Sequence, residues 1–121
     1  MSHSLELARG LADLTSQVAG TEVRVEPAGG GPGGSLGTSG DIVRQAIARA
    51  DTGQGVVVLA DLGSAVLTVR HLLESQTNGH IRLVDAPFVE GAVAAAVMSS
   101  AGQPLDDVAR AAEEARGASK F

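Results

Sequence analysis

Apolar residues follow two patterns along this chain, one continuous run and several stretches at helical spacing. The run Val56 to Ala60 lacks polar alternation, which is typical of a strand buried on both faces of a parallel sheet. It ends at Asp61, and Gly63 and Ser64 follow directly. We therefore predict a strand that delivers a carboxylate to the beginning of a helix, where free backbone N–H groups favour an anion. Ser64 is expected to cap that helix through its hydroxyl.

Apolar positions three and four apart predict five helices. The first runs from Leu5 to Ala19, with Ser4 as its cap and Gly20 as its end. The others follow Ser39, Gly63, Pro87 and Pro104. Their expected buried stripes, in chain order, are Leu7, Leu11, Leu14 and Val18; Ile42, Val43, Ala46, Ile47 and Ala50; Val66, Val69, Leu72 and Leu73; Val93, Ala96 and Val97; and Leu105, Val108, Ala112 and Ala115.

Two further segments look like strands. Thr21 to Pro27 alternates valines with charged residues, which fits a half-exposed strand near a sheet edge, and Ile81 to Val84 is a short apolar run. The order of elements predicts an α/β fold, with an open, mostly parallel sheet and helices on both faces. At 121 residues the chain is expected to form a single domain over residues 1–121.

The predicted order of elements is unusual for a parallel sheet, because the first element is a helix that no strand precedes. We expect that a first strand, at the centre of the sheet, is missing from the chain as given. On this interpretation Met1 is a misassigned start, and a short segment rich in Val and Ile would lead directly into Ser2 and His3.

Composition excludes several classes of function. Trp and Tyr are absent, the net charge is -5 and the basic residues are scattered, which argues against binding of nucleic acid or an anionic membrane. The absence of cysteine removes disulfides, thiol catalysis and cysteine zinc sites. No apolar run approaches the ~18 residues of a membrane span. We predict a soluble, cytoplasmic protein without a cofactor or a metal site.

A glycine-rich stretch from Ala28 to Gly40 is too rich in glycine for a regular element. It contains a formal G-x-G-x-x-G at Gly29, Gly31 and Gly34, but such a match is nearly inevitable in this composition, and no helix begins at its third glycine. Two interpretations stay open. The stretch is either a mobile surface loop or a flap whose backbone N–H groups wrap an anion.

His3 is the histidine with the most informative position. If a strand precedes it, His3 lies at the same carboxyl edge of the sheet as Asp61, and otherwise it is a disordered terminal residue. An imidazole at that edge can carry a phosphoryl group while the carboxylate bonds the other ring nitrogen and fixes the tautomer. His71, inside a helix, and His80, at the opposite end of a strand, are expected to be structural.

Four short motifs occur in order along the whole chain. They are Ser2-His3-Ser4, Gly29-Gly30 through Leu36-Gly37-Thr38-Ser39, Asp61-Leu62-Gly63-Ser64-Ala65, and Ala86-Pro87 through Val89-Glu90-Gly91-Ala92. With these motifs the chain resembles the phosphotransfer subunit of the phosphoenolpyruvate-dependent dihydroxyacetone kinases, a mannose-type enzyme IIA domain of the phosphotransferase system.

The resemblance implies roles for particular residues. His3 would be the phosphorylated histidine and Asp61 the carboxylate that orients it. The residues expected to surround the phosphoryl group are Gly30, Gly37, Thr38, Gly63, Ser64 and Ala65.

The resemblance also implies partners. The histidine-containing phosphocarrier protein would phosphorylate His3, the ADP-binding subunit of the kinase would receive the phosphoryl group, and the domain would be a homodimer. Two interpretations from other classes remain. One is a small nucleotide-binding regulatory module that uses the glycine-rich stretch, and the other is a structural subunit that assembles through its small-residue helix.

Overall fold

The computed structural model describes residues 1–121 as five α-helices, two short parallel strands and two turns of 3₁₀ helix. None of the helices is both long and apolar enough to cross a bilayer. The α-helices are α1 (Leu5–Ala19), α2 (Gly40–Ala50), α3 (Gly63–Leu73), α4 (Phe88–Ser100) and α5 (Leu105–Glu114). The strands are β1 (Val56–Val58) and β2 (Ile81–Leu83), and the 3₁₀ turns are Pro32–Gly34 and Ala115–Gly117.

The predicted starts of the first two helices are confirmed. The Ser4 hydroxyl accepts a hydrogen bond from the Leu7 N–H at 3.3 Å, and α1 ends at Gly20, whose φ is 74°. The Ser39 hydroxyl accepts from the Ile42 N–H at 3.4 Å at the start of α2. These caps satisfy N–H groups that have no partner inside the helix, so a local sequence signal was enough to place both boundaries.

The sheet is parallel, as predicted, and the α/β class is confirmed. β1 pairs with β2 so that Val56 lies opposite Ile81 and Val58 opposite Leu83. The predicted strand over Thr21 to Pro27 is wrong, since that segment has no assigned strand and its backbone makes no hydrogen bond with other backbone groups. The physical reason is that no strand lies beside it to complete a ladder.

The helices cover the two faces of β1. On one face α2 and α3 bury a cluster whose members are Ala28, Val43, Ala46, Val56, Val58 and Val69. On the other face α4 and α5 bury a second cluster, formed by Val84, Ala95, Val108, Ala109 and Ala112, against which Val57 and Leu59 pack. Because side chains alternate along a strand, β1 contributes to both clusters. α1 lies on the same side as α4 and packs against it.

Of the four positions predicted to be buried on α1, only Leu11 is buried, and the other three are wrong. Leu7, Leu14 and Val18 are 47%, 44% and 43% exposed, and the buried face consists of Ala8, Leu11, Ala12, Thr15 and Ala19. This face is narrow and made of small residues because it packs against α4, whose own buried positions are Gly91, Ala92, Ala95 and Ala96. Small residues on both faces allow the two helices to approach closely. The face of α1 that is buried is therefore the one that permits this close packing, and not the one with the largest apolar side chains.

Candidate functional site

The first residues of the chain lie along the carboxyl end of β1. The Met1 amino group donates to the Leu59 carbonyl at 2.5 Å. On the other side the Ser2 N–H donates to the Ala28 carbonyl at 2.8 Å, and the Gly30 N–H donates to the Ser2 carbonyl at 3.3 Å. This places His3 at the same sheet edge as Asp61, as the strand-end argument predicted.

The Asp61 carboxylate accepts hydrogen bonds from three donors, two of which belong to the chain start. It accepts from the Ser2 hydroxyl at 2.6 Å, from the His3 N–H at 3.2 Å and from the Leu62 N–H at 2.7 Å. The expected bond between the carboxylate and the imidazole is not among the contacts of the site, since the carboxylate oxygens face the main chain of His3 instead. Asp61 therefore fixes the position of His3 by accepting a hydrogen bond from its backbone N–H.

Ser2 is a site residue that the sequence reasoning did not single out. It is completely buried, and its hydroxyl both donates to Asp61 and accepts from the Ser4 N–H at 2.9 Å. The hydroxyl thus links the carboxylate to the start of α1. The signal that could have found it was its place directly before His3, where the main chain enters a strand edge and a polar side chain needs a buried partner.

The imidazole of His3 faces a hydroxyl rather than a carboxylate. Its Nδ1 lies 3.3 Å from the Ser64 hydroxyl, and Nε2 makes no hydrogen bond. The predicted capping role of Ser64 is wrong, because the cap position is Leu62 and no side chain caps α3. Ser64 is the second residue of the helix, which leaves its hydroxyl free to face the histidine.

The first turn of α3 supplies unpaired N–H groups beside the imidazole. The first backbone bond of the helix runs from the Val66 N–H to the Leu62 carbonyl, so the N–H groups of Gly63, Ser64 and Ala65 have no partner within the helix. Such a helix start attracts anions because the free N–H groups and the helix dipole act together.

The glycine-rich stretch is folded around the chain start. Gly30 pairs with Thr38 in an isolated parallel bridge and has a φ of 74°. Gly29 packs so closely against α1 that a Cβ there would lie 2.8 Å from the Ser4 carbonyl oxygen. Glycine is therefore required at these two positions for conformation and for space.

Two of the predicted phosphate ligands have other partners. The Gly30 N–H donates to Ser2, and the Gly37 N–H donates to the His3 carbonyl at 3.0 Å. Both groups hold the main chain of the Ser-His pair, so they are not free to donate to a phosphate. Thr38 differs, because its hydroxyl is buried and has no hydrogen-bond partner.

The other two histidines lie away from this edge. His71 is exposed and contacts Glu74 at 3.3 Å. The Nε2 of His80 lies 2.9 Å from Asp51, whose pKa is lowered first by a hydrogen bond from the Gly53 N–H and then by His80. No cluster of three or more His, Cys, Asp or Glu side chains is arranged to hold a metal ion.

Several known proteins with similar sequences are named as subunits of dihydroxyacetone kinases. The chain is 33% identical over 102 residues to phosphoryl donor subunit DhaM of PEP-dependent dihydroxyacetone kinase 2 from Listeria innocua, with 82% of each chain covered. It is 32% identical over 108 residues to the phosphotransferase subunit DhaM of the PTS-dependent dihydroxyacetone kinase from Lactococcus lactis, covering 89% of this chain and 85% of the relative. A phosphoryl donor subunit DhaM from Pantoea ananatis is 39% identical over 115 residues, but the chain spans only 24% of its length.

Structural and family comparisons agree with these relatives. A crystal structure of a protein of unknown function superimposes with a TM-score of 0.84 at 34% sequence identity, covering 99% of this chain and 93% of the other. The family profile of the PTS system fructose IIA component, EIIA-man, matches residues 1–109. The chain therefore belongs to the mannose-type enzyme IIA family of the phosphotransferase system.

Proposed function

We propose that this chain is the phosphohistidine carrier of a dihydroxyacetone kinase. In this role His3 accepts a phosphoryl group from the histidine-containing phosphocarrier protein and passes it to ADP bound on the nucleotide-binding subunit of the kinase. The names of the relatives as phosphoryl donor subunits support the role. The observation that carries it is the imidazole of His3, with Nε2 free and Nδ1 facing Ser64 beside the first turn of α3.

The proposed chemistry is a transfer between two nitrogen atoms. The lone pair of His3 Nε2 attacks phosphorus, the P–N bond to the donor histidine breaks, and its electron pair returns to the donor ring. In this step His3 Nδ1 keeps its proton, and the Nδ1–H donates a hydrogen bond to the Ser64 hydroxyl oxygen, 3.3 Å away. This hydrogen bond favours the tautomer with Nε2 unprotonated, which is the nucleophilic form, and it stabilises the positive ring after transfer. In the transfer to ADP, a β-phosphate oxygen attacks phosphorus, the P–Nε2 bond breaks, and its electron pair returns to the His3 ring.

The surroundings of the ring suit the incoming phosphoryl oxygens. The free N–H groups of Gly63, Ser64 and Ala65 offer donors at a positive helix end. The unpartnered hydroxyl of Thr38 is a further donor, in the segment whose Gly37 N–H bonds to His3. In this proposal Asp61, Gly30 and Gly37 are positioning residues, because they hold the main chain of Ser2 and His3.

Labelling from phosphoenolpyruvate tests the proposal. The chain is incubated with phosphoenolpyruvate, enzyme I and the phosphocarrier protein, and the phosphorylated residue is mapped by mass spectrometry under alkaline conditions. We expect one acid-labile phosphate on His3, none in the His3→Ala variant, and normal labelling in the matched His71→Ala variant. Labelling that persists in His3→Ala contradicts the proposal.

The transfer step and the assembly need separate measurements. Adding the ADP-loaded kinase subunit should discharge the labelled protein and form ATP, and direct transfer to dihydroxyacetone without nucleotide would contradict the proposed acceptor. We further propose that the carrier acts in the cytoplasm as a homodimer. Light scattering during size-exclusion chromatography tests the dimer.

A further inference from the structure

The outer side of α1 carries an apolar stripe that remains half exposed. Leu7, Leu14 and Val18 are separated by seven and four residues, so they lie along one side of the helix. All three are exposed. The stripe extends over ~16 Å, because a helix rises ~1.5 Å per residue. Single exposed apolar residues are ordinary on a protein surface, whereas a continuous apolar surface marks a contact with another molecule.

A second row of apolar residues continues this surface onto α4. Val89, Val93 and Val97 follow one another at four-residue spacing, and Val89 and Val97 are 43% and 50% exposed. They lie on the side of α4 away from Met98, which packs against the cluster that α5 helps to form. Because α4 packs against both α1 and α5, this row borders the stripe on α1. The two rows form one uncharged surface, the α1–α4 face, which consists of Leu7, Leu14, Val18, Val89, Val93 and Val97.

Gly10 lies in the middle of the stripe on α1, three residues after Leu7 and four before Leu14. Glycine is a poor helix former in a helix interior, so its presence there needs a reason. The chain itself supplies none, because a Cβ at Gly10 would meet no atom within 4 Å and the φ of Gly10 is not positive. A residue without a side chain allows another helix to approach α1 closely at this point. Gly10 thus marks the place where a second helix crosses the stripe.

The charges beside the α1–α4 face indicate what covers it. Arg9 and Asp13 border the stripe, are exposed, and form no ion pair within the chain. If a second α1 crosses antiparallel at Gly10, residues before Gly10 in one chain lie opposite residues after it in the other. Arg9 then faces Asp13 of the partner subunit, and Leu7 faces Leu14 of the partner subunit. A parallel crossing would instead place like charges together. The charges are therefore complementary to a second copy of this chain in the antiparallel orientation.

We propose that the α1–α4 face is the contact surface between two copies of this chain, related by a two-fold axis that passes close to Gly10. The inference rests on the proposed homodimer and names its interface. The contact is isologous, so it closes on itself as a dimer. The His3 ring faces Ser64 on α3, and α3 covers the opposite face of the sheet from α4. Assembly and phosphoryl transfer therefore use separate surfaces.

Light scattering during size-exclusion chromatography tests the surface with matched variants. Leu14→Asp places a charge within the α1–α4 face, and Leu67→Asp places the same charge on an apolar residue of α3 that is 67% exposed. We expect the wild type and Leu67→Asp to have twice the chain mass of 12.1 kDa. The dissociation constant of Leu14→Asp should rise by ~100-fold or more, because the charge loses water without gaining a partner. Circular dichroism establishes that the variants are folded. A dimer that survives Leu14→Asp, or a wild-type chain that stays monomeric at high concentration, would overturn the proposal.

Disulfide cross-linking tests the orientation of the two copies. The chain has no cysteine, so a disulfide in the variants Gly10→Cys and Ser16→Cys can only join two chains. We expect a high yield for Gly10→Cys, at the crossing, and a low yield for Ser16→Cys, which lies on another side of α1. A mixture of Leu7→Cys and Leu14→Cys chains should form more mixed disulfide than either variant forms alone. Equal yields for Gly10→Cys and Ser16→Cys, or a preference of Leu7→Cys for its own copy, would show that the two chains do not cross in this way.

Two further results separate this inference from the chemistry at His3. Leu14→Asp should still be labelled at His3 from phosphoenolpyruvate, and His3→Ala should dimerise like the wild type. Loss of labelling in the wild type would refute the phosphohistidine carrier and leave the dimer measurements unchanged. A monomeric wild type would refute the interface and leave the labelling unchanged.

Discussion

The carboxyl end of β1 and the edge of β1 away from β2 differ in how completely their polar groups are paired. At the end, Asp61 accepts from Ser2, His3 and Leu62, and no oxygen of the carboxylate is left without a donor. Along the edge of β1 away from β2, no strand lies beside Val57. The comparison shows that the histidine is positioned by a few bonds from the chain start and not by a continuous sheet. Substitutions at the carboxyl end of β1 should therefore change the rate of phosphoryl transfer. Changes in the protonation of the Met1 amino group should change the free energy of unfolding.

The largest expected effect is that of Asp61→Asn on phosphoryl acceptance. Asn keeps the shape of the side chain but loses the charge and one acceptor, so the backbone of His3 is held less firmly. We expect the rate of acceptance from the phosphocarrier protein to fall by ~10² or more, by analogy with other positioning and electrostatic effects. Stopped-flow or quench-flow transfer rates measure this. A wild-type rate in a folded Asp61→Asn protein would show that the paired end does not control the chemistry.

The second effect is a pH dependence of stability that originates at Met1. Its amino group has a pKa of about 6 in the folded protein against 8.0 as the reference value. Between these values the unfolded chain binds more protons, so the free energy of unfolding rises with pH from 6 to 8. The gain is at most ~3 kcal/mol. Urea unfolding across this range measures it, and acetylation of the amino group should flatten the profile. A profile that is unchanged by acetylation would assign the dependence to another group.

The third effect is the loss of stability in Ser2→Ala. The buried hydroxyl joins Asp61 to the Ser4 N–H, and its removal leaves both partners short of a hydrogen bond. We expect the free energy of unfolding to fall by ~1–3 kcal/mol. Chemical denaturation gives the value, with the exposed Ser16→Ala on α1 as the matched control. Equal stabilities of the two variants would mean that the hydroxyl network contributes nothing to holding the chain start.

The smallest expected effect is that of Ser64→Ala, which removes the partner of His3 Nδ1. One hydrogen bond to a ring that becomes charged is worth ~1.5 kcal/mol, or about a tenfold lower transfer rate. Ser64→Thr keeps the hydroxyl and should restore most of the rate. Stability should be unchanged in both variants because Ser64 is exposed and does not cap α3. Equal transfer rates in the Ala and Thr variants would remove the hydroxyl from the mechanism.

The helices were predictable because their signals are local. Ser4, Gly20 and Ser39 mark boundaries through bonds made within one turn, and these boundaries agree with the structure. The buried face of α1 was not predictable from the positions of its leucines, because it depends on the small residues of the helix that packs against it. The prediction of a strand over Thr21 to Pro27 was wrong for a related reason. Alternation of apolar and charged residues indicates a tendency to form a strand, but it does not show that a neighbouring strand is present.

The site was predictable in its members and less so in its contacts. The rule that parallel strands end at a common edge brought His3 and Asp61 together correctly. The hydrogen-bond partners depend on backbone and side-chain torsion angles, which sequence patterns do not specify. The sequence could therefore not show that Asp61 bonds to the main chain of His3 while Ser64 faces its ring. Nor could composition show that the Gly30 and Gly37 N–H groups bond to the Ser-His pair.

The identity of the phosphorylated nitrogen shows whether His3 reacts in the orientation that the structure gives it. In the structure Nδ1 of His3 faces Ser64 and Nε2 is unbonded, so Nε2 should be the phosphorylated atom. Nitrogen NMR of the protein labelled with ¹⁵N-histidine and phosphorylated through the phosphocarrier protein distinguishes the two ring positions. We expect a phosphorus-coupled Nε2 signal from His3 and unchanged signals from His71 and His80. Phosphate on Nδ1 of His3, or on either of the other histidines, would contradict it.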